Sequence, residues 1–119
     1  MSKEPAKLIV LEKAHELALQ VYRATNSFPK TEMFGLTSQI RRAAVSVPSN
    51  IVEGKARSSN KDFKRFLLIS RGSLEETKYQ LLLAKDLEYM SLAEYNRIIY
   101  LANDVGRLLN AFINKLQDS

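Results

Sequence analysis

Hydrophobic residues recur along most of the chain at spacings of three and four, which is the period of an amphipathic α-helix. The alternation typical of β-strands is nearly absent. The pattern predicts four helices: about residues 7–25, a second from between residues 31 and 37 to about residue 57, about residues 60–89, and a fourth that begins at residue 91.

Each predicted helix carries an apolar stripe suited to a core. In the first helix the stripe is Val10, Ala14, Leu17, Val21 and Ala24, and Phe28 beyond it is expected to fold back on the core. In the third helix an adjacent seam is also predicted, formed by Phe66, Ile69, Leu83 and Leu87.

Two serines are predicted to cap helices. Ser91 precedes Glu94 by three residues, which is the spacing of a capping box, and either Ser59 or Asn60 could cap the third helix. Four amphipathic helices with short connections predict an all-α fold, an antiparallel up-down-up-down four-helix bundle. Residues 1–119 are expected to form a single domain.

The second helix contains Pro48, which removes one amide donor and crowds the carbonyl of Ala44. We expect a kink there, with the freed carbonyl satisfied by water or by nearby Ser46, Ser49 or Asn50. The kink has two interpretations. It either wraps the helix around the core or opens the polar side of the helix.

On a helical wheel this segment has a polar arc and two apolar stripes. The polar arc comprises Arg42, Ser46, Ser49, Asn50 and Glu53, with an ion pair expected between Arg42 and Glu53. The stripe beyond the core stripe comprises Val45, Val52 and Ala56. Both neighbouring helices could cover it, or it could be a subunit interface with Arg41 at its boundary.

Positive charge is concentrated in one part of the chain. Residues 41–71 hold eight basic and two acidic residues, a net charge of +6, whereas the whole chain carries +5. This asymmetry indicates an anionic partner, nucleic acid first, although a solvated basic face is the alternative. The predicted phosphate contacts are Arg57, Lys61, Lys64, Arg65, Arg71, Lys78 and Lys85.

Four of these residues, Lys64, Arg71, Lys78 and Lys85, recur every seven residues and form a stripe about 30 Å long. Such a stripe could follow a nucleic-acid backbone. The alternative interpretation is that these basic residues form ion pairs within the helix, because Glu75 lies within one turn of Arg71 and Lys78.

Enzymatic chemistry has little support in the sequence. The chain has no cysteine and a single histidine, His15, on the secondary stripe of the first helix, where a boundary position is expected. Without further His or Cys a transition-metal site is not expected, and no glycine-rich phosphate loop is present. We expect no enzymatic activity, cofactor, small-molecule substrate or membrane span, and a cytoplasmic location.

Three stretches carry a resemblance to a known family: "KAHELALQVYRATNSFP" at residues 13–29, "FGLTSQIRRAAVSVPSNIVEG" at 34–54 and "SNKDFKRFLLISRGSLEETKYQLLLAKDL" at 59–87. They resemble the bacterial four-helix bundle proteins also labelled S23 ribosomal protein, whose founding members are encoded by intervening sequences in 23S rRNA genes. Leu11 and Glu12 stand where that family often has an aromatic residue.

The family is similar to the accessory variability protein of diversity-generating retroelements, a basic homopentamer that binds nucleic acid and a reverse transcriptase. The resemblance implies a ring-shaped homo-oligomer, a pentamer in that relative, with nucleic-acid binding. Residues and resemblance together predict a non-enzymatic homo-oligomer that binds structured RNA or other nucleic acid through phosphates. The alternative is a scaffold whose basic face docks an acidic partner protein.

Overall fold

The computed structural model describes residues 5–116, with side chains described from residue 9 onward. The predicted all-α four-helix bundle is confirmed, and no strand occurs within residues 5–116. The helices are α1 (Pro5–Thr25), α2 (Leu36–Lys55), α3 (Asn60–Asp86) and α4 (Leu92–Lys115), with a short 3-10 turn, Lys30–Glu32, before α2.

Each helix packs against two others. α2 contacts α1 and α3, and α4 contacts α1 and α3, whereas the diagonal pairs make no close backbone contact in the described chain. Between α1 and α4, Lys13 meets Asp104 and Gln20 meets Arg97, so residue numbers rise along one helix as they fall along the other. The molecule is 46 Å long. A helix as long as α3 spans about 40 Å, so the helices follow the long axis.

Serine caps begin the last two helices. The Ser59 hydroxyl accepts a hydrogen bond from the Asp62 amide at 3.1 Å, which settles the choice between Ser59 and Asn60. The Ser91 hydroxyl accepts one from the Glu94 amide at 3.1 Å, as predicted. Each bond satisfies an amide that has no partner within its own helix.

One helix boundary differs from the prediction. α1 is helical from Pro5, where the described residues begin. α3 ends at Asp86 rather than near residue 89, because Glu88 adopts a left-handed conformation with φ of 65°. The Tyr89 amide then donates to the Ala84 carbonyl at 2.9 Å, which closes the helix end.

The core consists of the predicted main stripes. Its largest fully buried side chains are Leu17, Ile40, Ile51, Leu67, Leu74, Leu81, Ile98 and Leu109. Phe28 folds back as expected, with its ring centroid 5.5 Å from that of Tyr89. The adjacent seam of α3 is only partly buried, since Ile69 and Leu87 are exposed.

α2 continues as one helix through Pro48, and a kink there stays a prediction. Asn50 Nδ2 donates to the Ser46 carbonyl and Ser70 Oγ to the Val47 carbonyl, both at 2.8 Å. Among the described residues, side-chain donors thus reach the carbonyls next to the proline rather than that of Ala44. None of the helices in residues 5–116 is both long enough and apolar enough to cross a membrane.

Candidate nucleic-acid interface

The two helices α2 and α3 approach closely beside the turn that joins them. A Cβ added to Gly54 would lie 2.7 Å from Phe63 Cδ1 and 3.0 Å from Phe66 Cβ, closer than packed atoms allow. Gly54 therefore lets the start of α3 press against the end of α2. This approach brings Arg57, beyond the end of α2, next to Phe66 of α3.

Two arginines converge on the ring of Phe66. The guanidinium carbon of Arg57 lies 4.6 Å from the ring centroid, and that of Arg65 lies 4.5 Å from it. Arg57 also pairs with Glu53 at 2.7 Å, and Arg65 pairs with Asp62 at 3.0 Å. Ring and carboxylate contacts together orient both guanidinium groups, although they also neutralise part of the charge.

Lysines extend this cluster along the first turns of α3. Lys61 is exposed and Lys64 is half-buried. A shallow groove of about 420 Å³ separates them and is lined by Ser59, Lys61, Asp62, Lys64, Arg65 and Leu68. We call Arg57, Lys61, Lys64 and Arg65 the basic cluster. The structure thus brings together the four predicted contacts nearest the turn.

The remaining residues of the predicted basic stripe each contact another side chain of the same protein. Arg71 donates to Asn110 Oδ1 at 3.0 Å, so it reaches α4 instead of pairing with Glu75. Lys78 pairs with Glu75 at 3.2 Å, as the alternative interpretation expected. Lys85 pairs with its neighbour Asp86 at 3.3 Å.

The side chains of Lys78 and Lys85 are only 29% and 28% exposed. Lys85 also lies 5.0 Å from the centre of the Tyr95 ring. Lys78 and Lys85 therefore offer less accessible charge than Lys61 and Arg65 of the basic cluster, whereas Arg71 of the stripe is exposed.

The ion pair predicted within the polar arc of α2, between Arg42 and Glu53, does not form. Glu53 is bound by Arg57 and not by Arg42, which lies eleven residues away and so about 16 Å along the helix. The hydroxyls of Ser46 and Ser73 lie 2.7 Å apart, so part of the arc faces α3. A polar cleft of about 440 Å³ lies beside them and is lined by Gln39, Arg42, Ala43, Ser46, Ser73 and Glu76.

Arg41, predicted at a subunit boundary, is tied to the end of α1. Its Nε donates to Thr25 Oγ1 at 2.7 Å, and its Nη2 donates to the Tyr22 carbonyl at 3.3 Å and to Asn26 Oδ1 at 3.2 Å. The guanidinium also lies 4.6 Å from the centre of the Tyr22 ring. Arg41 thus satisfies polar groups at a helix C-terminus, and its role at an interface stays a prediction.

The second apolar stripe of α2 is exposed. Val45 and Val52 are 39% and 54% exposed, and Ala56 is exposed as well. The interpretation that both neighbouring helices cover this stripe is therefore wrong. Val45 and Val52 instead line a groove of about 670 Å³ between α1 and α2, which we call the α1–α2 groove.

Exposed His15 lies in the α1–α2 groove. Within the described residues, no three His, Cys, Asp or Glu side chains are grouped so as to hold a metal ion. His15 is thus more exposed than the boundary position expected from the sequence.

Two carboxylates have perturbed pKa values, and both lie away from the basic cluster. Hydrogen bonds from Lys13, at 2.5 Å, and from Arg107 lower the pKa of Asp104. The pKa of Glu32 is lowered by a bond from the Leu36 amide at 3.0 Å and by one from the Tyr89 hydroxyl at 2.8 Å. Both groups stabilise contacts between elements and do not point to catalysis.

Sequence reasoning missed the role of Phe66, which it assigned only to a packing seam. Its two arginine partners come from opposite sides of the turn, so no periodicity in the sequence reveals the cluster. The role of Glu32 at the start of α2 was also missed, because its partner Tyr89 lies 57 residues away in the chain.

Comparison with known proteins agrees with this architecture. The family model described as "23S rRNA-intervening sequence protein" matches residues 6–111. The chain belongs to this family. A solved structure from Bacteroides thetaiotaomicron VPI-5482, described as a protein with unknown function from the S23 ribosomal protein family, is 26% identical to this chain.

The alignment with that structure has a TM-score of 0.85 and covers 92% of this chain and 99% of the other. No curated protein matches the chain. Neither matching description names an enzyme. The predicted family is therefore confirmed, and its description refers to 23S rRNA.

Proposed function

We propose that this protein is a non-enzymatic homo-oligomer that binds structured nucleic acid, RNA first, through backbone phosphates at the basic cluster. The observation that supports this most is the convergence of four basic side chains at the α2–α3 turn, with Arg57 and Arg65 held on Phe66. Arginine held in a fixed orientation suits phosphate oxygens, which accept two parallel hydrogen bonds from one guanidinium. The family description supports RNA as the first ligand to test.

Phosphate binding makes a quantitative prediction. Each neutralised phosphate contributes a slope of about −0.9 to the dependence of log affinity on log salt. Four contacts therefore imply a loss of affinity of roughly a hundredfold between about 50 and 200 mM salt. Fluorescence anisotropy with a labelled double-stranded RNA stem-loop measures this dependence.

A matched pair of variants separates the cluster from overall charge. Lys61→Gln with Arg65→Gln removes two charges from the cluster, whereas Arg23→Gln with Lys115→Gln removes two exposed charges elsewhere. We expect the first pair to weaken binding and to reduce the salt slope by about 2, and the second pair to change both much less. Equal effects from both pairs, or affinity independent of salt, would refute phosphate binding at the cluster.

The alternative partner is an acidic protein docked on the same basic face. It predicts that the chain leaves the RNA stem-loop unbound at 50 mM salt and still retains an acidic polypeptide such as polyglutamate. In that case the scaffold function replaces the RNA-binding function.

Self-assembly is the second part of the proposal, and exposed Val45 and Val52 in the α1–α2 groove support it. Isolated exposed apolar residues are common, but two valines in an apolar groove favour an interface. Native mass spectrometry of protein purified without nuclease would report the number of subunits and any bound nucleic acid together. A ring of five is the stoichiometry to test first, on the resemblance described above.

A further inference from the structure

The polar cleft between α2 and α3 has walls from both helices. Its lining residues are Gln39, Arg42, Ala43 and Ser46 of α2 and Ser73 and Glu76 of α3. The four α2 residues follow the spacing i, i+3, i+4, i+7, which places them on one side of that helix. We call this site the α2–α3 cleft. Its volume of about 440 Å³ is within the range of small-ligand pockets.

The cleft and the basic cluster lie on the same side of α3. Phe66 and Ser73 are seven residues apart, and seven residues nearly complete two turns. Phe66 holds Arg57 and Arg65, so the line that begins in the basic cluster continues into the cleft. Ser73 and Glu76 lie about 10 and 15 Å beyond Phe66 along the helix. At a rise of about 3.4 Å per nucleotide, about three to five nucleotides span that distance.

Two opposite charges line the cleft without pairing with each other. Arg42 and Glu76 are both exposed. Among the described residues, the Arg42 guanidinium has neither a hydrogen bond nor an ion pair, and the Glu76 carboxylate is bonded only to the Gln80 amide. Glu76 would repel a phosphate, and Arg42 would repel an ammonium group. A ligand that uses both side chains must therefore offer N–H donors to the carboxylate and, beside them, acceptors to the guanidinium.

Buried Gln80 lies one turn beyond Glu76 and contacts it. Gln80 is 5% exposed, and its Nε2 lies 3.4 Å from Glu76 Oε2. Its Oε1 is buried and has no hydrogen-bond partner within the described part of the chain. A buried carbonyl oxygen without a donor is costly. Gln80 therefore also favours a ligand that brings an N–H donor next to Glu76.

Hydrogen bonds hold the two walls of the cleft together. The hydroxyls of Ser46 and Ser73 lie 2.7 Å apart, and Asn50 Nδ2 donates to Ser46 Oγ at 3.0 Å. These bonds order the wall before a ligand binds, which lowers the entropy cost of binding.

Guanine is the nucleobase whose edge fits this pair of charges. Its N1–H and its N2 amino group are adjacent donors, which one carboxylate can accept together. Its O6 and N7 are adjacent acceptors, which one guanidinium can bind together. Adenine, cytosine and uracil each have only one donor group on the corresponding edge. The guanine amino group also has a second N–H, the kind of donor that Gln80 Oε1 lacks.

We propose that the α2–α3 cleft binds the guanine base of an unpaired RNA nucleotide, with Glu76 accepting from N1–H and the N2 amino group and Arg42 donating to O6 and N7. This inference rests on the proposed RNA binding and adds a base contact to the phosphate contacts. Sequence-specific recognition of RNA mostly uses the unpaired bases of loops and bulges. The basic cluster holds the backbone while the cleft selects one base beside it.

Stem-loops that differ in one base test this contact. A uridine loop carries one guanine, placed in turn at each position, and the guanine is then replaced by adenine, by inosine, which lacks the N2 amino group, or by 7-deazaguanine, which lacks N7. We expect fluorescence anisotropy to show roughly 5- to 150-fold tighter binding of guanine than of adenine at the best position. Inosine and 7-deazaguanine should each lose part of this preference. Equal affinity for guanine and adenine at every position would overturn the proposal and leave phosphate binding intact.

Matched variants separate the cleft from overall charge. Glu76→Gln and Glu75→Gln each remove one negative charge at adjacent positions of α3, but only Glu76 lines the cleft. We expect Glu76→Gln to abolish the preference for guanine over inosine and Glu75→Gln to keep it. Arg42→Gln should likewise abolish the preference for guanine over 7-deazaguanine, whereas Arg23→Gln, on α1, should keep it. A preference that survives both cleft variants would show that the base binds elsewhere.

A free guanine nucleotide presents the same base edge, so calorimetry with guanosine and adenosine monophosphates distinguishes the two sources. We expect the guanine stem-loop to bind more tightly than guanosine monophosphate, because only the stem-loop also reaches the basic cluster. Selective binding of guanosine monophosphate, together with stem-loops bound without base preference, would assign the cleft to a free nucleotide and overturn its role in RNA binding. If no stem-loop binds at 50 mM salt, the proposed RNA binding itself fails, and the role of the cleft in it fails as well.

Discussion

Gly54 gives the sharpest test of how the basic cluster is built. In Gly54→Ala the new methyl group would lie 2.7 Å from a ring carbon of Phe63, which is 4% exposed and has little room to move. The ring also packs edge-on against Phe112, with centroids 5.5 Å apart. Relief of the clash therefore requires α2 and α3 to separate or both rings to shift.

Two opposing effects determine how much Gly54→Ala changes the free energy of unfolding. Overpacking a core costs roughly 1–3 kcal/mol, whereas alanine is about 1 kcal/mol more favourable than glycine inside a helix. We expect a net loss of up to about 2 kcal/mol in the free energy of unfolding. For a domain of this length each 1 kcal/mol lost lowers Tm by roughly 4 °C.

Gly72→Ala is the matched control, because Gly72 is also inside a helix but has open space where the methyl group would lie. It should stabilise the chain by about 0.5–1 kcal/mol through helix propensity alone. Both substitutions are made in a Val45→Glu background, which is expected to prevent the proposed self-assembly, so that assembly does not enter the measured stability. Urea unfolding followed by circular dichroism gives both free energies.

The two substitutions should therefore change stability in opposite directions. Gly54→Ala should also weaken RNA binding, because a shift of Phe66 displaces the ring that orients Arg57 and Arg65. If Gly54→Ala were as stable as Gly72→Ala, the tight approach of α2 and α3 would not be what requires glycine at that position.

Two further predictions concern contacts between elements. Glu32 has a lowered folded-state pKa, so its stabilisation is present above the ordinary value of 4.5 and is lost as pH falls through the lower folded value. The stability difference between wild type and Glu32→Gln, measured by urea unfolding, should therefore shrink at acid pH, and a constant difference would contradict the bond from the Leu36 amide. Ser70→Ala should cost about 1–2 kcal/mol in the same assay because it removes the buried bond to the Val47 carbonyl, whereas an unchanged stability would show that this bond contributes little.

The sequence predicts the fold well because apolar periodicity and caps are local features. Residues such as Val10, Leu67 and Val105 are fully buried as their spacing requires, and Ser59 and Ser91 cap their helices. These features depend on neighbours within a few residues, which the sequence displays directly.

The candidate site is harder to predict because it depends on the position of each side chain along the helix axis and on partners that are distant in the sequence. A helical wheel places Arg42 and Glu53 on the same side of α2 but does not show that three turns separate them. Arg42 is too far from Glu53 to pair with it, and Arg57 pairs with Glu53 instead. In the same way, Arg41 meets Thr25 through the packing of α1 on α2, which the pattern of α2 alone does not contain. Sequence patterns give the direction of a side chain, and packing decides which partner it meets.

Pro48 lies both inside α2 and in the wall of the α1–α2 groove. In the proposed self-assembly through this groove, the direction of the groove wall on either side of Pro48 would set the angle between neighbouring copies. That angle, rather than the strength of each contact, decides how many copies close a ring. On this proposal, a residue that looks like a helix breaker would control the copy number of the assembly.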